Sequence, residues 1–157
     1  MATIDLSSVS STNPSVVNGL RKAVAQSYGL LALSHNLHVN IVGPDFFQLH
    51  AVLGGIYEGA LDDADLYAER IRSLDAFCHI CLTEMDSASG LPCLPSPFAA
   101  REGIATVLNA FDIIIKDLTS LMNTADATGD KVTANMIQDK VAAAQKQTWQ
   151  LKSYLRS

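Results

Sequence analysis

The stretch Leu37–His50, LHVNIVGPDFFQLH, decides how the rest of the chain is read. It sets His38 and His50 on either side of a Gly43-Pro44-Asp45 break. Upstream, Val17, Leu20, Val24, Leu31 and His38 recur at the spacing of one helical face. A first helix is therefore predicted from Pro14, with Asn13 as its cap, to about Val39, and His38 falls on its apolar stripe. Downstream, Asp45 followed three residues later by Gln48 reads as a capping box that opens a second helix, from Phe46 to about Leu74. Gly54, Gly55 and Gly59 in that helix each lower helix propensity by up to about 1 kcal/mol relative to Ala, which suggests close backbone packing, with loose packing as the alternative.

Beyond this stretch the spacing predicts a short helix near Ala76–Met85, then a loop, SASGLPCLPSP, with three prolines. A third long helix is expected over Phe98–Ala125, striped by Ile104, Val107, Leu108, Phe111, Ile114, Leu118 and Leu121. Thr128-Gly129-Asp130 breaks it. In the last helix Ile137, Val141, Ala144, Thr148, Leu151 and Leu155 keep one face to the C-terminus. With no strand-like alternation and no internal repeat, the expected fold class is all-α. It is a four-helix bundle with a short extra helix in the connection between the second and third long helices. Residues 14–157 form the bundle domain, and residues 1–13, rich in serine, are expected to be a flexible tail.

The composition agrees with one globular domain: 157 residues, 48% apolar and 17% charged. No apolar run approaches the roughly 18 residues of a membrane helix. The start, MATIDLSSVSSTNPS, lacks the basic and apolar regions of a signal peptide, so a cytoplasmic protein is expected. A net charge of −5, with no Lys or Arg before Arg21, disfavours nucleic acid as a partner. Three cysteines in such a chain do not make a disulfide framework. Cys78 and Cys81 form a CxxC around His79, and Cys93 follows. A zinc site would want a second ligand pair, and a redox motif a βαβ context. Neither is visible, so the cysteines are read as small apolar residues on the short helix.

Asp65 and Glu69 sit four apart on the second long helix and project from one face. With His38 and His50 they compose a nitrogen and oxygen set suited to iron or zinc. A histidine on an apolar stripe is more often a packed core residue, however, and such a carboxylate pair more often a solvated face. Helix geometry adds a constraint. His50 and Asp65 are 15 residues apart on one helix, roughly 22 Å at 1.5 Å per residue, too far for one metal centre. Two chains with these helices antiparallel about a two-fold axis would close the set and make two identical sites.

The segment LSHNLHVNIVGPDFFQLH, followed by DLYAERI, resembles the Dps family of mini-ferritins, the DNA-binding proteins from starved cells. The family signature runs from a histidine before a Gly-Pro turn, through Phe and a second histidine, to Asp-x-x-x-Glu-Arg. The last helix, GDKVTANMIQDKVAAAQKQTWQLKSYL with Trp149, is similar too, and so is the short extra helix. The resemblance covers the chain from about Val16.

It implies a ferritin-like homo-dodecameric cage that oxidises Fe(II), preferably with hydrogen peroxide, and stores the ferric product as protection against oxidative stress. His38 and His50 would come from one subunit, and Asp65 and Glu69 from its two-fold mate. The iron-entry pore positions correspond to Asp130, Asn135 and Asp139, the second an amide where a carboxylate is expected. Two departures alter the site: Gly54 stands where the family has an iron-binding Asp, and Val39 where it has Trp. Glu58, roughly 12 Å along the helix from His50, is no substitute. The alternatives are a structural cage with weak ferroxidase activity, or one binding another divalent ion such as zinc. A third is a nucleoid protein, which the acidic, lysine-free tail opposes.

Overall fold

The computed structural model describes residues 13–94 and 97–156. Of the expected tail only Asn13 lies among them. Four long helices, α1 (Pro14–Asn40), α2 (Phe46–Ser73), α4 (Ala100–Ala127) and α5 (Lys131–Leu155), and one short helix, α3 (Leu82–Ser89), account for the architecture. There is no strand among the described residues. α1 packs against α2, α3 and α4, and α4 against α5, as a four-helix bundle with α3 laid on its outside. The apolar stripes form one core, in which Leu20, Leu37, Leu53, Ile71, Ile104, Ile137 and Leu151 are almost wholly buried. Each such side chain contributes about 1.5–3 kcal/mol of burial free energy.

The ends of the helices follow local chemistry. Asn13 accepts from the Val16 amide and Pro14 opens α1. Gly43, at φ 113°, makes the turn into α2 in a region closed to residues with a Cβ. At Gly103 an added Cβ would overlap Leu37, so the missing side chain lets α4 press against the last turn of α1. This contact seats the turn that carries His38.

Three local expectations are corrected. Asp45 precedes α2 but makes no capping bond, because its backbone (φ −91°, ψ 8°) lies outside the extended region that aims a cap side chain at the helix amides. Its carboxylate instead accepts from the Tyr154 hydroxyl at 3.2 Å, tying α5 to the turn. The short helix is Leu82–Ser89, six residues later in starting than predicted, and it takes in part of the expected loop. The reason is how α2 ends. Asp75 adopts a left-handed conformation (φ 57°), with the Asp75 amide bonded to Arg72 O and the Ala76 amide to Ile71 O. Beyond it, Arg72 donates to Ala76 O and Arg21 to Phe77 O, so arginines satisfy carbonyls that a helix would have used. Cys78 and Cys81 therefore sit on an irregular segment, not on a helix.

The third correction concerns the glycines of α2. A Cβ at Gly55 or Gly59 would meet nothing within 4 Å. Facing them are Ala143 and Ala144 of α5, and the small residues leave a cavity of about 220 Å³ where close packing was expected. α2 and α5 are joined by polar contacts instead: Lys140 with Asp63, and Arg70 with Asp130.

Asp130 is the joint between these helices. Its carboxylate caps α5 through the Thr133 amide (3.0 Å), accepts from the Thr133 hydroxyl, and pairs with Arg70 at 2.9 Å. Burial opposes its ionisation, yet the hydrogen bonds from Thr133 and the Arg70 charge outweigh that and hold the carboxyl below its usual value. A carboxyl depressed in the folded state stabilises above its unfolded value and loses that contribution as pH falls. Asp130→Ala is expected to cost about 2 kcal/mol at pH 7, from a lost cap and a lost charged hydrogen bond. Thermal unfolding should show the wild-type advantage at neutral pH, with its loss beginning below about pH 4 and complete only once the depressed folded-state value is passed.

Candidate metal centre

The corner between α1 and α2 brings the two histidines face to face. Their rings stack at 3.6 Å between centroids, inclined by 23°. His38 Nδ1 lies 2.8 Å from the His50 carbonyl, and His50 Nδ1 2.9 Å from the His38 carbonyl. A carbonyl oxygen only accepts, so each Nδ1 carries the proton and donates. Both rings are thereby held as the tautomer whose Nε2 lone pair is free for a metal, the arrangement that orients ligating imidazoles. The bonds also employ the His38 carbonyl, one of the carbonyls left over at the end of α1.

Aromatic neighbours wedge the pair in place. Phe46 stacks on His50 at 5.0 Å, and Tyr57 meets His38 edge-on at 5.1 Å. His35 lies 4.8 Å from Tyr57 and 6.2 Å from His38. Neither His35 nor Tyr57 was singled out from sequence; the signal was there, since His35 is one turn before His38 and Tyr57 two turns after His50. Gly54 faces the same corner. A Cβ there would lie 3.4 Å from His38 Cε1 and 3.5 Å from Nδ1, ordinary contact, so the backbone has room for a side chain beside the ring.

Asp65 and Glu69 are not part of this cluster within the subunit. They lie toward the other end of α2, exposed, and no hydrogen bond or ion pair engages either among the described residues. No Asp, Glu or Cys among the described residues joins His38 and His50 in a group of three metal donors. The one such group is elsewhere: His79, Cys81 and Glu84 on the connection before α4. There the Thr83 hydroxyl, with the Glu84 amide, holds the Cys81 thiol below its usual value, while burial pushes the Cys78 thiol up. Of the pore candidates, Asp130 is half-buried and committed to Arg70 and Thr133, whereas Asn135 and Asp139 are exposed one turn apart on α5.

Residues 17–157 match the ferritin-like domain family. The DNA protection during starvation protein of Helicobacter pylori is 32% identical over 137 residues, which cover 87% of this chain and 95% of that protein. The crystal structure of Dps from Staphylococcus aureus superposes with a TM-score of 0.88 at 29% identity, over 91% of this chain and 97% of that one. Helicobacter cinaedi CAIP superposes at 0.84 with 34% identity, over 89% and 99%. The Vibrio cholerae Dps protein, 25% identical with a TM-score of 0.85 over 90% and 89%, is described as a member of a broad superfamily of ferritin-like diiron-carboxylate proteins. Sequence similarity over most of its length and the superposed fold together make the chain a member of the ferritin-like family, on its Dps branch.

Proposed function

We propose that the chain is the subunit of a cytosolic cage that oxidises Fe(II), with hydrogen peroxide as preferred oxidant, and stores the ferric product. The observation that carries this reading is the locked histidine pair: two Nε2 lone pairs are presented, yet no carboxylate among the described residues of the same subunit completes the set. Asp65 and Glu69 are the complement, bare carboxylates on the same helix. A second subunit with its α2 antiparallel about a two-fold axis supplies them, and receives the same in return. Val42 and Phe47, 80% and 82% exposed beside the corner, are apolar surface that such a partner covers.

Iron is the substrate. Two Fe(II) ions each give one electron to a peroxide, whose O–O bond breaks and, with two protons, yields two waters. The imidazoles hold the entering ion through nitrogen, and Asp65 and Glu69 supply the anionic oxygens that suit ferric iron, with Glu69 as the bridging carboxylate. Gly54 removes one further anionic oxygen, so one iron position binds well and the second weakly. Oxidation is correspondingly slower than is usual in the family.

Sharing has a direct test in the assembled protein, expected as a dodecamer of about 200 kDa from 16.8 kDa chains. Subunits carrying His38→Ala with His50→Ala, and subunits carrying Asp65→Asn with Glu69→Gln, should each be inactive. Co-assembled, they should recover about a quarter of wild-type sites, because half of random pairs are mixed and one of the two sites in each is whole. A monomer by light scattering, or no recovery on mixing, would remove the shared site. Gly54→Asp should raise both Fe(II) affinity and oxidation rate by about tenfold; no gain, with two tight ions already bound in the wild type, would overturn the role given to Gly54.

For iron entry, Asp139 is the carboxylate available at the start of α5, beside Asn135, since Asp130 serves the fold. Triplicated about a three-fold axis, it would concentrate negative charge at an opening. Asp139→Asn should slow iron uptake severalfold while leaving assembly intact, and unchanged uptake in stopped-flow traces would place entry elsewhere.

DNA binding is expected to be weak. Twelve copies of a −5 chain carry about −60, and phosphate-rich DNA is repelled at physiological salt. A gel shift at submicromolar protein and pH 7 would contradict this.

A further inference from the structure

The irregular segment between α2 and α3 carries a second cluster of donors, remote in sequence from the histidine corner. His79 projects from the segment, Cys81 is the residue before α3, and Glu84 lies in the first turn of α3. One donor atom from each lies within 4.8 Å of the other two, and His79 Nε2 is 3.7 Å from Glu84 Oε2. Bonds of about 2.0–2.3 Å at a tetrahedral angle put nitrogen and oxygen ligands roughly 3.3 Å apart, and sulfur and nitrogen roughly 3.6 Å. The three donors thus need to close by only about an ångström to share one ion.

Two features of the fold bring them together. Arg72 and Arg21 hold the carbonyls of Ala76 and Phe77, which fixes the path of the segment leading to His79. Cys81 is extended (φ −136°, ψ 115°), and its carbonyl accepts from the amides of Glu84 and Met85, which folds the first turn of α3 back toward His79. Thr83 Oγ1 lies 3.2 Å from Cys81 Sγ and orients the thiol.

We propose that His79, Cys81 and Glu84 bind a divalent transition-metal ion of the zinc class, as a site separate from the iron centre. The donor types decide the class. A thiolate with an imidazole selects zinc-like ions over Fe(II), Mg(II) or Ca(II), and Zn(II) stands above Fe(II) in intrinsic affinity. Thiolate and carboxylate together neutralise the ion, and three protein ligands leave a fourth position for water. The neighbouring cations are occupied: Arg21 with Asn18 and Phe77 O, and Lys22 with Asp117. Bound metal would clip the irregular segment to α3, coupling binding to local order. The CxxC then has only one ligating member, since Cys78 is packed against the core and is absent from the cluster.

Cobalt(II) is the probe, because it replaces zinc and its bond to a thiolate absorbs strongly in the near ultraviolet. The intact protein, stripped with chelator and kept reduced, should take up one Co(II) per chain with this absorption, and Zn(II) should abolish it. Cys81→Ser should remove the band, and His79→Ala or Glu84→Gln should weaken binding at least tenfold. Cys78→Ser, Cys93→Ser and the doubly substituted His38→Ala, His50→Ala protein should all retain the band. Retention of the band in Cys81→Ser, its loss in Cys78→Ser, or no thiolate band in the wild type would overturn the proposal.

Discussion

The structure of the candidate centre depends on one reciprocal contact, the pair of hydrogen bonds by which His38 and His50 each donate to the other's backbone carbonyl. A side chain that bonds its neighbour's backbone across a turn does two jobs at once. It closes the angle between α1 and α2, and it fixes which ring nitrogen is protonated. The turn is short because Gly43 adopts a backbone closed to other residues, and α1 is seated because Gly103 lets α4 reach Leu37. Packing some distance away thus sets the chemistry of two imidazoles.

The opposite end of α2 is held differently. Arg70, the residue after Glu69, spans to Asp130 and Thr133 at the start of α5. Among the described residues no hydrogen bond or ion pair engages the Glu69 side chain, and its helix is firmly positioned. The Asp-x-x-x-Glu-Arg pattern therefore combines two functions: carboxylates left free, and an arginine that locks the helix presenting them. It also removes Asp130 from the surface charge that a pore would need, since its carboxylate already serves the cap and the ion pair.

Between these ends, α2 is loosely filled. Gly55 and Gly59 face alanines of α5 across a cavity, and Lys140 reaches Asp63 across the same seam. Polar links thus cross a seam that small residues leave open, while Ile71 of α2 and Ile137 of α5 are as fully buried as Leu20 and Leu37 of α1.

The bundle was legible in the sequence because long helices write their buried face at a 3.6-residue period, and because Asn13, Gly43-Pro44 and Gly129 mark ends by chemistry that acts within a few residues. The two histidines of the corner were legible as candidate ligands too, while a four-residue metal set divided between subunits stays a proposal, drawn from helix length and resemblance. What remained hidden was whatever depends on groups distant in the chain. Arginines from α1 and α2 capture the carbonyls of residues 76 and 77 and delay α3; Tyr154 takes the carboxylate that looked like a cap; Ala143 and Ala144 decide that the glycines of α2 border a cavity. The cluster of His79, Cys81 and Glu84 has the same origin, for its spacing matches no familiar ligand pattern, and only the path of the backbone through an irregular segment brings the three donors together. Periodicity and turn residues act locally and can be read from sequence; the choice of a hydrogen-bond partner is made in three dimensions, where the nearest donor or acceptor wins.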